Sequence, residues 1–137
     1  MSDSLVIIPT YNEKENILNM IEKLLSLDVA TDILVVDDGS PDGTANMVRE
    51  KQKDTPELNI IERSGKLGLG TAYLAGFNFA IENGYDTIVQ IDADFSHNPD
   101  VIEVFLKEIE TNDLVIGSRY INGINVVNWP LRRLMLS

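Results

Sequence analysis

Asp92 and Asp94 stand one residue apart at the end of the apolar run Ile88-Val-Gln-Ile91. In an extended backbone, residues i and i+2 point to the same side, so both carboxylates can address one ligand at a strand's carboxyl end. Open α/β sheets place their binding sites at that end. A hard divalent cation bridging two phosphates suits such a pair, because Mg2+ is usually held by one or two carboxylates plus substrate phosphates. On its own Asp-x-Asp reads more readily as a solvated strand-to-loop turn, so the other strand ends have to decide.

Four apolar runs besides this one look like sheet strands. Leu5-Val-Ile-Ile8 stops at Pro9, and Ile33-Leu-Val-Val36 stops at Asp37-Asp38-Gly39. Both are expected to be buried parallel strands. Leu58 to Glu62 is less apolar and is expected nearer an edge, and Leu114-Val-Ile-Gly117 is a fifth strand, after Asp86 to Ile91 as the fourth. Between the first two, Ile17, Met20, Ile21, Leu24 and Leu25 recur on one helical face, with Asn12 and Glu15 spaced as a capping box. A second helix is expected over about Thr44 to Lys53. The third carries a continuous stripe of Leu69, Ala72, Tyr73, Gly76, Phe77, Ala80 and Ile81. Asn98-Pro99 reads as an N-cap with Pro at the first helical position, opening a fourth helix that buries Val101, Ile102, Phe105, Leu106 and Ile109. Five strands joined by four helices imply right-handed crossovers and a mostly parallel, helix-flanked α/β sheet.

In such a sheet all the strand ends share one edge. Pro9-Thr-Tyr11-Asn-Glu13, Asp37-Asp38-Gly-Ser40, Asp92-Ala93-Asp94 and Gly117-Ser-Arg119-Tyr120 would then meet there. About four acidic groups, a tyrosine and an arginine on one crevice is what a nucleotide and metal site requires.

Composition narrows the classes. The chain has 137 residues, 44% hydrophobic, enough for one globular domain with a proper core. It has no cysteine, which excludes a disulfide framework and a cysteine nucleophile. A net charge of -11, from 11 Lys and Arg against 22 Asp and Glu, argues against a nucleic-acid partner. No signal-peptide pattern opens the chain and no run reaches the roughly 18 apolar residues of a membrane span, so a cytoplasmic, soluble chain is expected. Gly65-Lys66-Leu-Gly68-Leu-Gly70 looks like a phosphate loop, but its order matches neither standard glycine-rich pattern. We read it as a tight start to the third helix, with Lys66 near the nucleotide. His97, the only histidine, is read as structural. A receiver-type signalling domain would need an aspartate at the end of strand three, and Ile60-Ile-Glu62-Arg-Ser64 has none.

Four segments carry a family resemblance. Val6-Ile-Ile-Pro9-Thr-Tyr11-Asn-Glu13, Val35-Val-Asp-Asp38-Gly-Ser-Pro-Asp-Gly-Thr44, Lys66-Leu-Gly68-Leu-Gly70-Thr-Ala-Tyr73 and Asp92-Ala-Asp94-Phe-Ser96-His-Asn-Pro99 resemble the family 2 inverting glycosyltransferases of the GT-A fold. With Asn128-Trp129-Pro-Leu-Arg132-Arg133, they are similar more narrowly to dolichol-phosphate or polyprenol-phosphate mannose synthases. The resemblance implies transfer of mannose from GDP-mannose to a polyprenyl (dolichyl) phosphate, dependent on Mg2+ or Mn2+. A sister enzyme using UDP-glucose, or a non-catalytic nucleotide-binding fragment, is the alternative. Pro9, Tyr11, Glu13, Val36 and Asp38 would line the guanosine end, and Asp92, Ala93 and Asp94 the diphosphate. Asp94 would bind the metal, with Ser96 where some relatives carry a further ligand. Arg119 would face the donor or acceptor phosphates, and Arg132, Arg133 and Ser137 the acceptor phosphate. The resemblance also implies a domain spanning 1–137, with a nucleotide-sugar part over 5–120 and the start of an acceptor region over 121–137. The later part of the GT-A fold would be missing, exposing Trp129, Leu131, Leu134, Met135 and Leu136. The enzyme would work peripherally at the cytoplasmic face of a membrane.

Overall fold

A computed structural model describes residues 2–117. The elements run β1 (Ser4–Thr10), α1 (Ile17–Leu25), β2 (Asp32–Asp37), α2 (Thr44–Gln52), β3 (Leu58–Glu62), α3 (Leu69–Glu82), β4 (Thr87–Gln90) and α4 (Val101–Glu108). The strands form one sheet in the order β3-β2-β1-β4, and every pairing is parallel. The first two crossovers step from β1 to β2 to β3, and the third jumps back across the sheet to the far side of β1. Because such crossovers are right-handed, reversing direction moves the connecting helix to the other face.

The two core layers obey that rule. Val6 and Ile8 of β1 and Ile33 and Val35 of β2 pack with Ile17, Met20, Ile21 and Leu24 of α1, Val48 of α2 and Ile102 of α4. Leu5, Ile7, Leu34 and Val36 turn the other way, onto Ala72 and Ala80 of α3. Strands covered on both faces need apolar residues at successive positions, which is why these runs show no polar alternation. β3 is an edge strand, as its weaker hydrophobicity predicts.

Small residues let α3 lie close to the sheet. Ala72, Gly76 and Ala80 form its buried line, four residues apart. A Cβ on Gly76 would come within 2.8 Å of the Ile7 side chain, which is fully buried. The expected stripe is therefore narrower than the sequence suggests, because Leu69 and Ile81 are exposed while Tyr73 and Phe77 pack at its margin.

Three other expectations are corrected. No strand forms over 114–117: Leu114 and Ile116 are each 75% exposed and the sheet has four strands among the described residues. An apolar run becomes a strand only by pairing, and this one has no backbone partner there. Asn12 does not cap α1. It takes a left-handed φ of 56° and donates its amide to Ser40 Oγ at 2.9 Å, while the helix begins after a turn in which the Asn16 and Ile17 amides donate to the Glu13 carbonyl. α4 begins at Val101 rather than at Pro99; Asn98 Oδ1 instead accepts the Asp100 amide at 3.0 Å, and Ile102 is the one fully buried residue of that helix. Among the described residues no helix is long and apolar enough to cross a membrane.

Gly76→Ala should lower stability by about 1–3 kcal/mol, the usual cost of forcing a methyl into a filled core. Urea denaturation of the two proteins checks this, and an unchanged midpoint would show that α3 can lift off Ile7.

Candidate active site

β1 lies between β2 and β4, so the sheet's order reverses beside it. Crevices at such reversals are where open α/β sheets bind ligands. A cavity of about 210 Å3 opens there, lined by Pro9, Thr10, Tyr11 and Glu13 after β1, Asp38 after β2, Lys66, Gly68, Leu69 and Ala72 at the start of α3, and Asp92, Ala93 and Asp94 after β4. A larger cavity, about 330 Å3, sits at the opposite end of the strands. Its buried carboxylate, Asp32, is already held by the Tyr85 hydroxyl at 2.7 Å and the Ser2 amide at 3.3 Å.

Alternation explains how two carboxylates from one segment reach the crevice. Val89, Ile91 and Ala93 continue into the core against α1 and α4, although regular pairing stops at Gln90. Asp92 and Asp94 therefore take the opposite sense. The Tyr73 hydroxyl of α3 donates to Asp92 Oδ1 at 3.5 Å, and the Asp92 amide donates to His97 Nδ1 at 3.4 Å. His97 thus braces the turn, in keeping with a structural role. Burial, and then the Asp92 charge, push the Tyr73 phenol well above its ordinary value, so it stays a donor. Phe95, at φ 61°, reverses the chain so that the Ser96 amide donates back to Asp94 Oδ1 at 3.0 Å.

The carboxylates are differentiated by what surrounds them. Burial works against the charged form of Asp94, but the Ser96 hydroxyl and amide, its own amide and His97 hold its carboxyl below the usual range. Ser96 thus supports the anion. Glu13 goes the other way: burial raises it, Asn16 opposes this with a hydrogen bond, and Asp94, Asp92 and Asp42 raise it further. Glu13, Asp92 and Asp94 line the same cavity, so the β1 and β4 ends share one electrostatic site.

Asp37 and Asp38, adjacent in sequence, have separate tasks. Asp37 is buried, accepting the Thr10 hydroxyl at 2.7 Å and the Ser40 hydroxyl and amide at 2.6 and 2.9 Å. It stabilises the scaffold and does not line the cavity. The rest of that loop fixes the chain after β1, since Ser40 holds the Asn12 amide, Asp42 the Lys14 amide and Thr44 the Glu13 amide. Asp38 lines the cavity but is gripped at both oxygens by Arg63, Nε to Oδ1 at 2.6 Å and Nη2 to Oδ2 at 2.8 Å. Arg63 also reaches the Thr71 hydroxyl and the Gly68 carbonyl, tying the ends of β2 and β3 to the start of α3. Sequence reasoning missed Arg63, although it directly follows a strand, where the other polar residues were sought.

Val36 departs from expectation. Its side chain is fully buried in the layer against α3, so it backs the site rather than lining it. Arg119, Arg132, Arg133 and Ser137 lie outside the described residues, as does the apolar set from Trp129 to Leu136. No group of three or more His, Cys, Asp or Glu suited to a metal occurs among the described residues. Asp92 and Asp94 nevertheless fit a cation completed by ligand phosphates, because Asp94 is ionised and exposed and two carboxylates suffice in such sites.

Fold and cavity together define a wound parallel α/β domain with an acidic crevice where the strand order reverses. The family model for glycosyl transferase family 2 matches residues 5–136, and the chain belongs to that family. It is 45% identical over 133 residues to an undecaprenyl-phosphate mannosyltransferase of Micrococcus luteus, covering 97% of this chain and 55% of that one. It is 46% identical over 136 residues to a polyprenol monophosphomannose synthase of Mycolicibacterium smegmatis, covering 98% and 51%. A dolichol-phosphate mannosyltransferase of Pyrococcus furiosus is 38% identical over 135 residues, covering 96% of this chain and 37% of that one. The chain spans about half the length of the first two of these relatives and less of the third. Among solved structures, a mannosyltransferase from Pyrobaculum calidifontis in complex with GDP-Man and Mn2+ superposes with a TM-score of 0.59 at 28% identity, covering 67% of this chain and 27% of that one. S. aureus TarS 1-349 gives 0.61 at 21% identity, covering 85% and 39%, which supports the fold alone. The GT-A architecture expected from the sequence is thus the one found.

Two measurements test the electrostatics. Arg63→Ala leaves Asp38 buried and unpaired and should cost about 3 kcal/mol, with Arg63→Lys recovering only part, since an ammonium cannot span both oxygens. Equal urea midpoints for wild type and Arg63→Ala would show the pair to be dispensable. Because Glu13 holds its proton more tightly when folded, its favourable contribution is present below 4.5 and is lost as pH rises through the raised value. Glu13→Gln should therefore be more stable than wild type at pH 7 and equal to it in acid, and a pH-independent difference would contradict this reading.

Proposed function

We propose that the chain is the donor-binding part of an inverting glycosyltransferase that moves mannose from GDP-mannose to a polyprenyl or dolichyl phosphate. The observation that carries this is the convergence of Tyr11, Glu13, Asp38, Asp92 and Asp94 on one cavity at the sheet's reversal point. The mannosyltransferase relatives, 38–46% identical, supply the sugar and the acceptor class.

Tyr11 offers a ring 38% exposed for the base to stack on, while Asp38 and Glu13 accept hydrogen bonds from base or ribose. Asp38 keeps that ability because Arg63 donates one hydrogen bond to each carboxylate oxygen, and each oxygen has a further acceptor site. Asp92 and Asp94 face the diphosphate, Asp94 as the metal ligand, with Ala93 between them buried in the core. A bound Mg2+ or Mn2+ supplies neutralisation of the charge that develops on the leaving GDP. The acceptor phosphate is already anionic, so no side chain has to act as base; it needs a clamp that holds it in line with the bond to GDP. Arg132 and Arg133, with Ser137, fill that role in this reading, because guanidinium forks match phosphate oxygens. Arg119 serves the donor or acceptor phosphates. Residues 5–120 then form the nucleotide-sugar part and 121–137 open the acceptor region, working at the cytoplasmic face of a membrane.

Isothermal titration of GDP-mannose and UDP-glucose, with and without Mn2+, distinguishes the mannosyl reading from a sister enzyme. Tight binding of GDP-mannose only with the metal is expected, and metal-independent binding or none would remove the assignment. Asp94→Ala should abolish the metal-dependent part, roughly ten-fold or more in affinity, the worth of one charged contact. Arg133→Ala should leave donor binding intact, and in the longer enzyme should impair only use of the lipid phosphate.

A further inference from the structure

The glycine-flanked segment Gly65 to Gly70 matches no standard phosphate loop, yet it delivers Lys66 to the cavity. Lys66 is the sole cationic side chain among the described residues that line it, against the carboxylates of Glu13, Asp38, Asp92 and Asp94. Among the described residues its ammonium forms no salt bridge; it rests over the Tyr11 ring, 4.7 Å from the centroid. This is unexpected, since carboxylates line the same cavity and Arg63 offsets only Asp38.

We infer that Lys66 is a ligand-gated diphosphate contact that rests on Tyr11 and transfers to the phosphates when a nucleobase takes that ring face. The inference rests on the donor-site reading above. Two cationic or aromatic groups cannot occupy one ring face, and a base stacks there about as strongly as or more strongly than an ammonium at an exposed site. The displaced ammonium is left beside three uncompensated carboxylates and an incoming diphosphate. A single divalent cation offsets two charges, so a further cation is needed where the phosphates meet Asp92 and Asp94. The segment can make the move. Lys66 is exposed, Gly65 precedes it with nothing near its Cα substituent position, and Gly68 takes a φ of 105° that only glycine adopts easily. Gly68 is in turn pinned through its carbonyl by Arg63, so the loop has a fixed end from which the lysine swings.

The test compares a nucleoside with its diphosphate on the 137-residue chain. Guanosine and GDP, each with Mn2+, are titrated into wild type, Lys66→Met and Lys66→Arg. Lys66→Met should weaken GDP about ten-fold while leaving guanosine unchanged or up to about three-fold tighter, because it loses a charged contact and frees the ring. Lys66→Arg should bind GDP within about three-fold of wild type, since an arginine supplies the same charge. Equal weakening of both ligands by Lys66→Met would make the residue merely structural, and no change in either would remove it from the site; both results overturn the inference. If wild type binds neither ligand, the donor-site reading itself falls, and the inference with it. Should uridine and UDP bind instead, the same ratio is read on that pair, because Lys66 answers to the diphosphate and not to the base.

Discussion

The fold depends on where β1 sits. It is paired on both edges and covered on both faces, with Leu5 to Ile8 wholly buried. Such a strand can release its chain to solvent only at its ends. Because the strand order reverses beside it, its carboxyl end opens between two neighbours whose connecting helices lie on opposite faces. Among the described residues no helix covers that gap, and the polar residues after β1, β2 and β4 fill it. The close seating of α3, which needs Gly76 against Ile7, sets the gap's far wall and brings Tyr73 to Asp92.

Around that opening, residues of one chemical type are sorted by environment. Asp37 is spent on Thr10 and Ser40, and Asp38 is neutralised by Arg63 yet still faces the cavity. Glu13 is made reluctant to ionise by burial, while Asp94 is held ionised by the turn that follows it. Stability and function are joined in the loop from Asp37 to Thr44. The side chains that satisfy its own turns also hold the backbone of the β1 loop, so a change there would move Glu13 and Tyr11 together.

Much of this was legible in the residues. The apolar runs placed four strands and four helices, β3 was recognised as an edge, and the strand-end rule gathered Pro9, Tyr11, Glu13, Asp38, Asp92, Ala93 and Asp94 before their contact was visible. The misreadings have local causes. Leu114 to Gly117 is apolar enough for a strand, but pairing is not a property of the run. Asn12 has the right spacing for a cap, but tertiary contact with Ser40 takes it into a left-handed turn. Val36 belongs to a shared motif, but its place in the β2 alternation turns it into the core.

What the sequence alone determined is the inventory and its periodicities: an acidic α/β domain, buried parallel strands, carboxylates at their ends, and membership of the family those blocks resemble. Period and composition are local, so they can be read from neighbours in the chain. Only the tertiary structure decided that Asp38 belongs to Arg63, that Asp37 is scaffold, that Glu13 feels Asp92 and Asp94, and that Lys66 rests on Tyr11. Those pairings join residues 25 to 81 positions apart, or different loops at one sheet edge, and charge and burial act through space. No spacing along the chain encodes them until the strand order has been set.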